Sequence, residues 1–332
     1  MTDDNDALLW QVWMTSVQLP ALTVANELGL FEIVYEKEVT AIDVSDALGI
    51  EPRPTLALLD VMTSLNFLSV KEGVYSITQT ASKHLLRESP FYWGGMLDRM
   101  SKMAITHDIL MMCVKENKSK VYGDDDMYED HHQNKEQVSA HCYSMHSRAA
   151  SSAEYLAEFK VFHDVQLMLD VGGGRGTYSV AILKHNPHIK STVLDLPLVC
   201  ELAMEYIDEN GLSDKIITQP IDFFKEDFPL GNDTVFFADV FHDWPYEKCL
   251  MLAKKAYKAL PDKGKILLHE IVLREGRGGP LVAASYSMAM LFATEGQQFT
   301  FSELSKLLKE AGFRNVQRQL SYGYYSLIIG IK

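Results

Sequence analysis

Apolar residues recur at helical spacing from Leu8 to about Ile33 and end in Glu27-Leu28-Gly29-Leu30-Phe31, where Gly29 reads as a helix C-terminal residue before a hydrophobic contact. A helix this apolar is expected to be buried on more than one face. Thr40 to Ile50 then forms a short helical pattern, Pro52-Arg53-Pro54 opens a second one through Leu65, and Leu68 to Val70 and Val74 to Ile77 alternate around Glu72-Gly73. Helix, turn, helix and two short strands describe a winged helix. From Phe91 to about Leu156 the chain is helical and rich in methionine (Met96, Met100, Met103, Met111, Met112, Met127, Met145), whose flexible thioethers suit core or dimer packing and, less commonly, a ligand pocket.

After Val165 the rhythm changes to apolar strand, turn, amphipathic helix, repeated through Val165–Val171, Ser191–Leu194, Ile216–Gln219, Thr234–Ala238 and Lys265–Glu270. Alternation of this kind requires right-handed crossovers and a mostly parallel sheet covered on both faces. The expected fold is α/β, a doubly wound, Rossmann-like sheet over residues 161–332 preceded by an α-helical winged-helix domain over residues 1–160.

Composition narrows the function. The 332 residues exceed one ordinary hydrophobic core, and 47% apolar with 23% charged residues is the balance of a globular protein. A formal charge of −14 with no basic patch opposes nucleic-acid binding, and the second winged-helix helix offers only Arg53 near its start for bases or phosphates. A small-molecule partner is expected instead. No basic stretch followed by an apolar run opens the chain, and no charge-free window is long enough to span a bilayer, so a cytoplasmic protein away from membranes is expected. Cys113, Cys142, Cys200 and Cys249 lie far apart with no Cys-x-x-Cys pair, which suggests packed, reduced thiols and neither disulfide nor zinc site. Asp124-Asp125-Asp126 with Glu129-Asp130-His131-His132 resembles a metal cluster only in composition and reads as a solvated loop; no metal is expected.

The chemistry gathers at the strand ends. In Asp170-Val171-Gly172-Gly173-Gly174-Arg175-Gly176 a strand gives way to a helix, and the glycines let the backbone turn tightly while a ligand approaches. The dinucleotide fingerprint needs its last glycine at position 177, which is Thr177. Asp195 closes the next strand, where a carboxylate can accept both ribose hydroxyls of an adenosine, and Asp222-Phe223 follow the third, offering a carboxylate near an adenine amino group and an aromatic face. Three consecutive strand ends thus suit an adenosine ligand bound by Gly172, Gly174, Gly176, Asp195, Asp222 and Phe223. The fourth strand end carries Asp239-Val240-Phe241-His242-Asp243-Trp244 and the fifth delivers Glu270. A histidine beside a carboxylate makes a general base with a fixed tautomer, so His242 and Glu270 are the catalytic candidates. His269, flanked by apolar residues, reads as a packed histidine.

These residues, with Cys249, Ala259-Leu260-Pro261-Asp262-Lys263-Gly264-Lys265, Met290-Leu291, Thr294-Glu295-Gly296-Gln297 and Ala311-Gly312-Phe313, make the chain similar to the plant-caffeate and acetylserotonin type (class II) of S-adenosylmethionine-dependent small-molecule O-methyltransferase. The resemblance covers nearly the whole chain, its winged-helix dimerisation domain included. It implies that the glycine loop, Asp195 and Asp222-Phe223 hold the methyl donor S-adenosyl-L-methionine, that His242 deprotonates a small aromatic acceptor and that Glu270 orients His242. It also implies a homodimer, and a pocket lined by Met145, Arg148 and the Tyr286-to-Phe292 helix with Met288 and Phe292. Two positions depart from the pattern. Ala238 and Asp239 stand where many relatives carry a basic residue touching the donor, and Gln298-Phe299-Thr300 replaces Glu-Arg-Thr, which removes a second carboxylate beside His242 unless Glu295 swings in.

The reaction expected is in-line methyl transfer to a hydroxyl, most simply a phenol, whose proton passes to His242. C- or N-methylation, an NAD-dependent dehydrogenase and a non-catalytic cofactor-sensing regulator are the rival readings. Thr177 weighs against the dehydrogenase, and the His242–Glu270 pairing against the regulator.

Overall fold

The computed structural model describes residues 5–121 and 135–332, so Met127 and the acidic and histidine cluster of residues 124–132 lie outside the described residues. The chain divides into two compact units between Ala104 and Ile105.

In the first unit α1 (Ala7–Glu27) and α2 (Leu30–Glu36) are separate helices, bent by 61° where Gly29 adopts a left-handed conformation. Only Thr23 and Ala25 of α1 are buried, while Leu8, Leu9, Trp10, Val12, Trp13 and Val17 are exposed. The expected burial on several faces is therefore not met within one chain. Next come β1 (Val39–Thr40), α3 (Ala41–Leu48), started by a Thr40/Asp43 capping box, and α4 (Pro52–Ser64), with proline in its first turn where no amide donor is needed. β2 (Leu68–Lys71) and β3 (Val74–Ile77) pair antiparallel through Glu72 and Gly73, both at positive φ, as a two-residue hairpin demands. α5 (Gln79–His84) and α6 (Gly94–Lys102) complete the unit, whose core is built on Leu30, Phe31, Leu59, Met62 and Leu68. Among the described residues no single helix is long and apolar enough to cross a membrane.

The second unit begins earlier than residue 161. α7 (His107–Glu116) and α8 (Lys135–Ala157) belong to it, because Ala149, Ala153, Leu156 and Ala157 of α8 share one core with Met168, Tyr178 and Phe236. That helical stretch reads as N-terminal in sequence only because it precedes the first strand. The sheet contains β4 (Leu167–Val171), β5 (Lys190–Asp195), β6 (Ile216–Pro220), β7 (Thr234–Ala238), β8 (Lys265–Ile271), β9 (Arg314–Leu320) and β10 (Tyr325–Ile331), in the order β6-β5-β4-β7-β8-β10-β9. β4 to β8 pair in parallel, and β10 lies antiparallel between β8 and β9. The order reverses beside β4, so the crevice outside the β4 and β7 carboxyl ends is the natural ligand site of such a sheet.

Side-chain alternation fills both layers. Phe236 packs with Met168 and Leu267 under α8, α9 (Thr177–His185) and α10 (Pro197–Glu209), while its neighbour Phe237 packs with Leu169 and Leu268 under α11 (Tyr246–Ala259) and α13 (Phe301–Glu310). Each fully buried phenylalanine is worth roughly 1.5–3 kcal/mol. α12 (Leu281–Ala293) lies between β8 and α13 in sequence.

Candidate active site

β4 ends at Val171 and α9 starts at Thr177; between them Gly172, Gly174 and Gly176 all take positive φ. A Cβ on Gly172 would come within 2.9 Å of Val240, whereas one on Gly174 (φ 57°) would meet nothing within 4 Å, so there the positive φ rather than crowding calls for glycine. A cavity of about 220 Å³ lies here, walled by Gly172 to Arg175, Asp195, Phe223, Asp239, Asp243 and Trp244, with Met145 and Arg148 from α8. Gly176 is not in that wall; it caps α9 and sits against Val193 and Ile207.

Asp195, at the end of β5, accepts hydrogen bonds from the amides of Gly174 (2.9 Å) and Leu196 (2.8 Å). Burial pushes its carboxyl up to about 6, against the pull of those two amides. Phe223 presents its ring to the cavity, but Asp222 does not line it: its carboxylate accepts from the Phe224 and Lys225 amides and pairs with Lys225 at 3.0 Å, as in an Asx turn. The loop after β6 is shaped by Lys255 of α11, whose ammonium donates to the carbonyls of Phe223, Phe224 and Glu226 at 2.9, 2.8 and 2.7 Å.

His242 sits in a 3₁₀ turn, Phe241–Asp243, directly after β7. Its Nδ1 lies 2.6 Å from Glu270 Oε2, and Glu270 Oε1 accepts from the amides of Val240 (3.1 Å) and Phe241 (2.8 Å). One carboxylate thus fixes both the turn and the ring, so that in the neutral imidazole the proton sits on Nδ1 and the lone pair on Nε2. Two further features hold the turn. The Cys249 thiol donates to the carbonyls of Phe241 (3.1 Å) and Trp244 (3.4 Å), and Gly296 packs so closely that a Cβ would fall 2.1 Å from the His242 carbonyl oxygen. Burial alone depresses the imidazole, but Glu270, Asp243 and Asp239 outweigh it and hold its pKa up at about 9.

The second carboxylate absent at Gln298 has counterparts in the turn itself. Asp243 Oδ1 lies 3.7 Å from His242 Nε2 and Asp239 Oδ1 3.8 Å from Nδ1, while Glu295 is turned away in an ion pair with Lys248 at 2.7 Å. The cation missing at positions 238 and 239 comes from α8: Arg148 pairs with Asp239 at 3.0 Å and donates to the Tyr286 hydroxyl. Tyr325 adds a 2.9 Å hydrogen bond to Asp239 from β10. The left-handed φ of Asp239, 55°, is tolerable for an aspartate and aims its carboxylate into this cluster. Gln298 is wholly buried, and neither end of its carboxamide finds a hydrogen-bond partner among the described residues. His269 is enclosed between Tyr178 (3.0 Å) and Ser321 (3.0 Å) and stacked on Tyr325; burial lowers its pKa to about 4 and keeps it neutral.

Of the expected pocket residues, Met288 is exposed and Phe292 buried, and neither lines the cavity; Tyr286, from the same helix, reaches His242. Asp239, His242 and Glu270 each offer a ligand atom within 4.8 Å of the others. They do not fit a cation well: it would break the 2.6 Å His242–Glu270 contact beside an Arg148 that already neutralises Asp239. Tyr325 escaped the sequence reading, and Asp239, Asp243 and Tyr286 stand in segments it singled out without being given these contacts. Only Asp243, adjacent to His242, carried a usable signal.

Comparison with known proteins agrees with this architecture. Residues 108–314 match the model of an O-methyltransferase domain, and residues 10–87 that of an O-methyltransferase dimerisation domain. The chain is 30% identical over 327 residues to 3-hydroxy-5-methyl-1-naphthoate 3-O-methyltransferase of Streptomyces sahachiroi, covering 97% of this chain and 92% of that one. It is 29% identical over 326 residues to L-tyrosine C(3)-methyltransferase of Streptomyces lavendulae, covering 93% and 87%. The crystal structure of human N-acetylserotonin methyltransferase in complex with SAM matches with a TM-score of 0.83 at 27% identity, covering 100% of this chain and 99% of that one. The two family models fall one on each unit, and the relatives and the solved structure span both.

Proposed function

The chain belongs to the O-methyltransferase family, and from that premise we propose that it moves a methyl group from S-adenosylmethionine to a phenolic hydroxyl of a small aromatic acceptor, with His242 as general base and Glu270 as its positioning carboxylate. The observation that carries this reading is the 2.6 Å contact from His242 Nδ1 to a Glu270 anchored on two backbone amides. A base built this way keeps Nε2 free to receive a proton and stabilises the imidazolium that results.

The donor is a substrate consumed in the reaction. Its adenosine would lie against Phe223, with its ribose hydroxyls on Asp195 and its methionyl part along Gly172 to Gly174. The chain's own contribution is to align oxygen, methyl carbon and sulfur while excluding water, since displacement at a sulfonium neutralises charge and leaves little else to stabilise.

The test is His242→Gln, which should lower turnover of a phenol identified by screening with labelled donor by roughly 10²–10⁴-fold. Binding of S-adenosylhomocysteine, read by calorimetry, should be unaffected. Unchanged turnover would remove His242 from the role. A C-methylating variant of the reaction keeps the same base, because a phenolate also activates its ring carbon; the L-tyrosine C(3)-methyltransferase relative supports that second reading. Mass fragmentation of the product separates the two.

The exposed apolar face of α1, with Trp10 and Trp13, supports a homodimer formed through the residues that match the dimerisation domain. A stable monomer in light scattering would overturn it.

A further inference from the structure

His242, the base on which the proposed reaction depends, does not line the cavity: it is 3% exposed, and its outward nitrogen is covered. What covers it is the hydroxyl of Tyr286, from α12, 3.4 Å from Nε2, with the two rings tilted at 53° and their centroids 5.0 Å apart. Arg148 donates to the same oxygen from α8. When His242 is neutral, with its proton on Nδ1 toward Glu270, Nε2 carries the lone pair and the Tyr286 hydroxyl donates to it. A phenol hydrogen-bonded to the base, its oxygen polarised by a guanidinium, has the arrangement that a phenolic acceptor needs just before it loses its proton.

We infer that Tyr286 occupies the acceptor's seat on His242, as a built-in surrogate that caps the base until an acceptor phenol displaces it. The inference rests on the reading of His242 as the base and of a phenol as its acceptor, and adds to it the residue that holds the seat before the acceptor arrives.

The geometry makes such a cap workable. At 3.4 Å the contact to Nε2 is longer than a strong hydrogen bond, so it yields readily, while Arg148 retains the displaced hydroxyl. The charges around His242 leave no rival for the place: Glu270 faces it from β8, Asp239 and Asp243 from its own turn, and Arg148 stands behind Tyr286. Of the two groups beside Nε2, the Tyr286 hydroxyl at 3.4 Å carries a proton to donate, whereas Asp243 Oδ1 at 3.7 Å must first be protonated. The cap also has a use. A sulfonium beside an uncovered base invites attack by an activated water, and a phenol over Nε2 excludes that water.

In the productive step the acceptor hydroxyl takes over the position. Its oxygen lone pair forms the new bond to the methyl carbon, the carbon–sulfur bond breaks with its electron pair left on sulfur, and the hydroxyl proton passes to Nε2. The neutral thioether S-adenosylhomocysteine, the aryl methyl ether and the imidazolium balance the equation.

The experiment uses p-cresol, the side chain of tyrosine as a free molecule. In Tyr286→Ala the emptied seat should bind p-cresol in the presence of S-adenosylhomocysteine, and with S-adenosylmethionine it should yield 4-methylanisole on the order of tenfold faster than the wild type, in which the cap competes. Binding of p-cresol by Tyr286→Ala with no gain in 4-methylanisole would overturn the inference. Tyr286→Phe keeps the ring and removes only the hydroxyl. In histidine-labelled protein with S-adenosylhomocysteine and no phenol, it should move the ¹⁵N resonance of His242 Nε2; an unmoved resonance overturns the cap even if Tyr286→Ala does not fold. The double variant Tyr286→Ala/His242→Gln separates the two ideas: 4-methylanisole formed at the undiminished rate of Tyr286→Ala withdraws the base and leaves the seat assigned.

Discussion

At one end of the cavity the groups assigned to the donor are backbone amides, one aromatic ring and the carboxylate of Asp195, most of them within Gly172 to Leu196. At the other end the groups around His242 come from Arg148, the turn at 239–243, Glu270, Tyr286 and Tyr325, and nearly all of them are charged or directly bonded to a charge. The first end resists perturbation because a backbone amide has no alternative protonation state and little freedom to move. The second is a coupled set in which removing one member leaves another stranded in a buried place.

That difference can be broken or sharpened by substitution. The largest effect is expected from Arg148→Met, which leaves Asp239 buried without its cation and should cost about 3 kcal/mol of stability in urea unfolding. Adding Asp239→Asn should recover most of that loss, and failure to recover it would argue that the two residues are not coupled. Next in size, Asp195→Ala should weaken S-adenosylhomocysteine binding by about 100-fold in calorimetry, as loss of charge-assisted hydrogen bonds to two hydroxyls predicts, with stability and the pH profile scarcely altered.

Glu270→Gln tests the electrostatics directly. In the wild type His242 is held up at about 9, so turnover should climb as pH rises toward that value and the base becomes neutral. Without the carboxylate the imidazolium loses its main support and its pKa falls, so the same rise should occur at lower pH. The plateau should be about tenfold lower, because a less basic and less firmly oriented imidazole takes the proton less well. A rise left at the wild-type pH would show that Glu270 does not control the base. The smallest change is expected from Tyr178→Phe, which breaks the hydroxyl's contacts with Ser152 and His269 behind the site and should cost about 1 kcal/mol of stability while leaving both ends' kinetics intact.

The same contrast explains what the amino-acid sequence reveals. The positions of the glycine loop and Asp195 at the cavity are legible because they depend on short-range spacing: a strand, a tight turn, a helix, and a carboxylate at the next strand end. His242 and Glu270 are legible as consecutive parallel strand ends. Asp222 misleads for the same reason, since an aspartate after a strand serves a turn as readily as a ligand, and here it accepts from the Phe224 and Lys225 amides. Arg148 reaches Tyr286 across 138 residues of separation and Tyr325 reaches Asp239 across 86, and no local pattern encodes those meetings. The antiparallel strands β9 and β10 escaped for opposite reasons: Tyr325–Ile331 is buried on both faces and Arg314–Leu320 is exposed along nearly all its length, and either erases the alternation by which a half-buried strand is recognised. The helix of residues 135–157 assorts with the second unit by its alanine face, a preference that only the packed core expresses.

The Cys249 thiol has a practical consequence for anyone handling this protein. It is wholly buried, and burial with the carboxylates around it drives its pKa far above that of a free thiol, so the nucleophilic thiolate is essentially unpopulated. The turn carrying His242 is therefore fastened by a sulfur that iodoacetamide and mild peroxide cannot reach while the fold holds. Loss of activity during storage without reductant should then be sought in unfolding or in surface methionines, and alkylation at Cys249 can serve as a chemical clock for opening of the second unit's core.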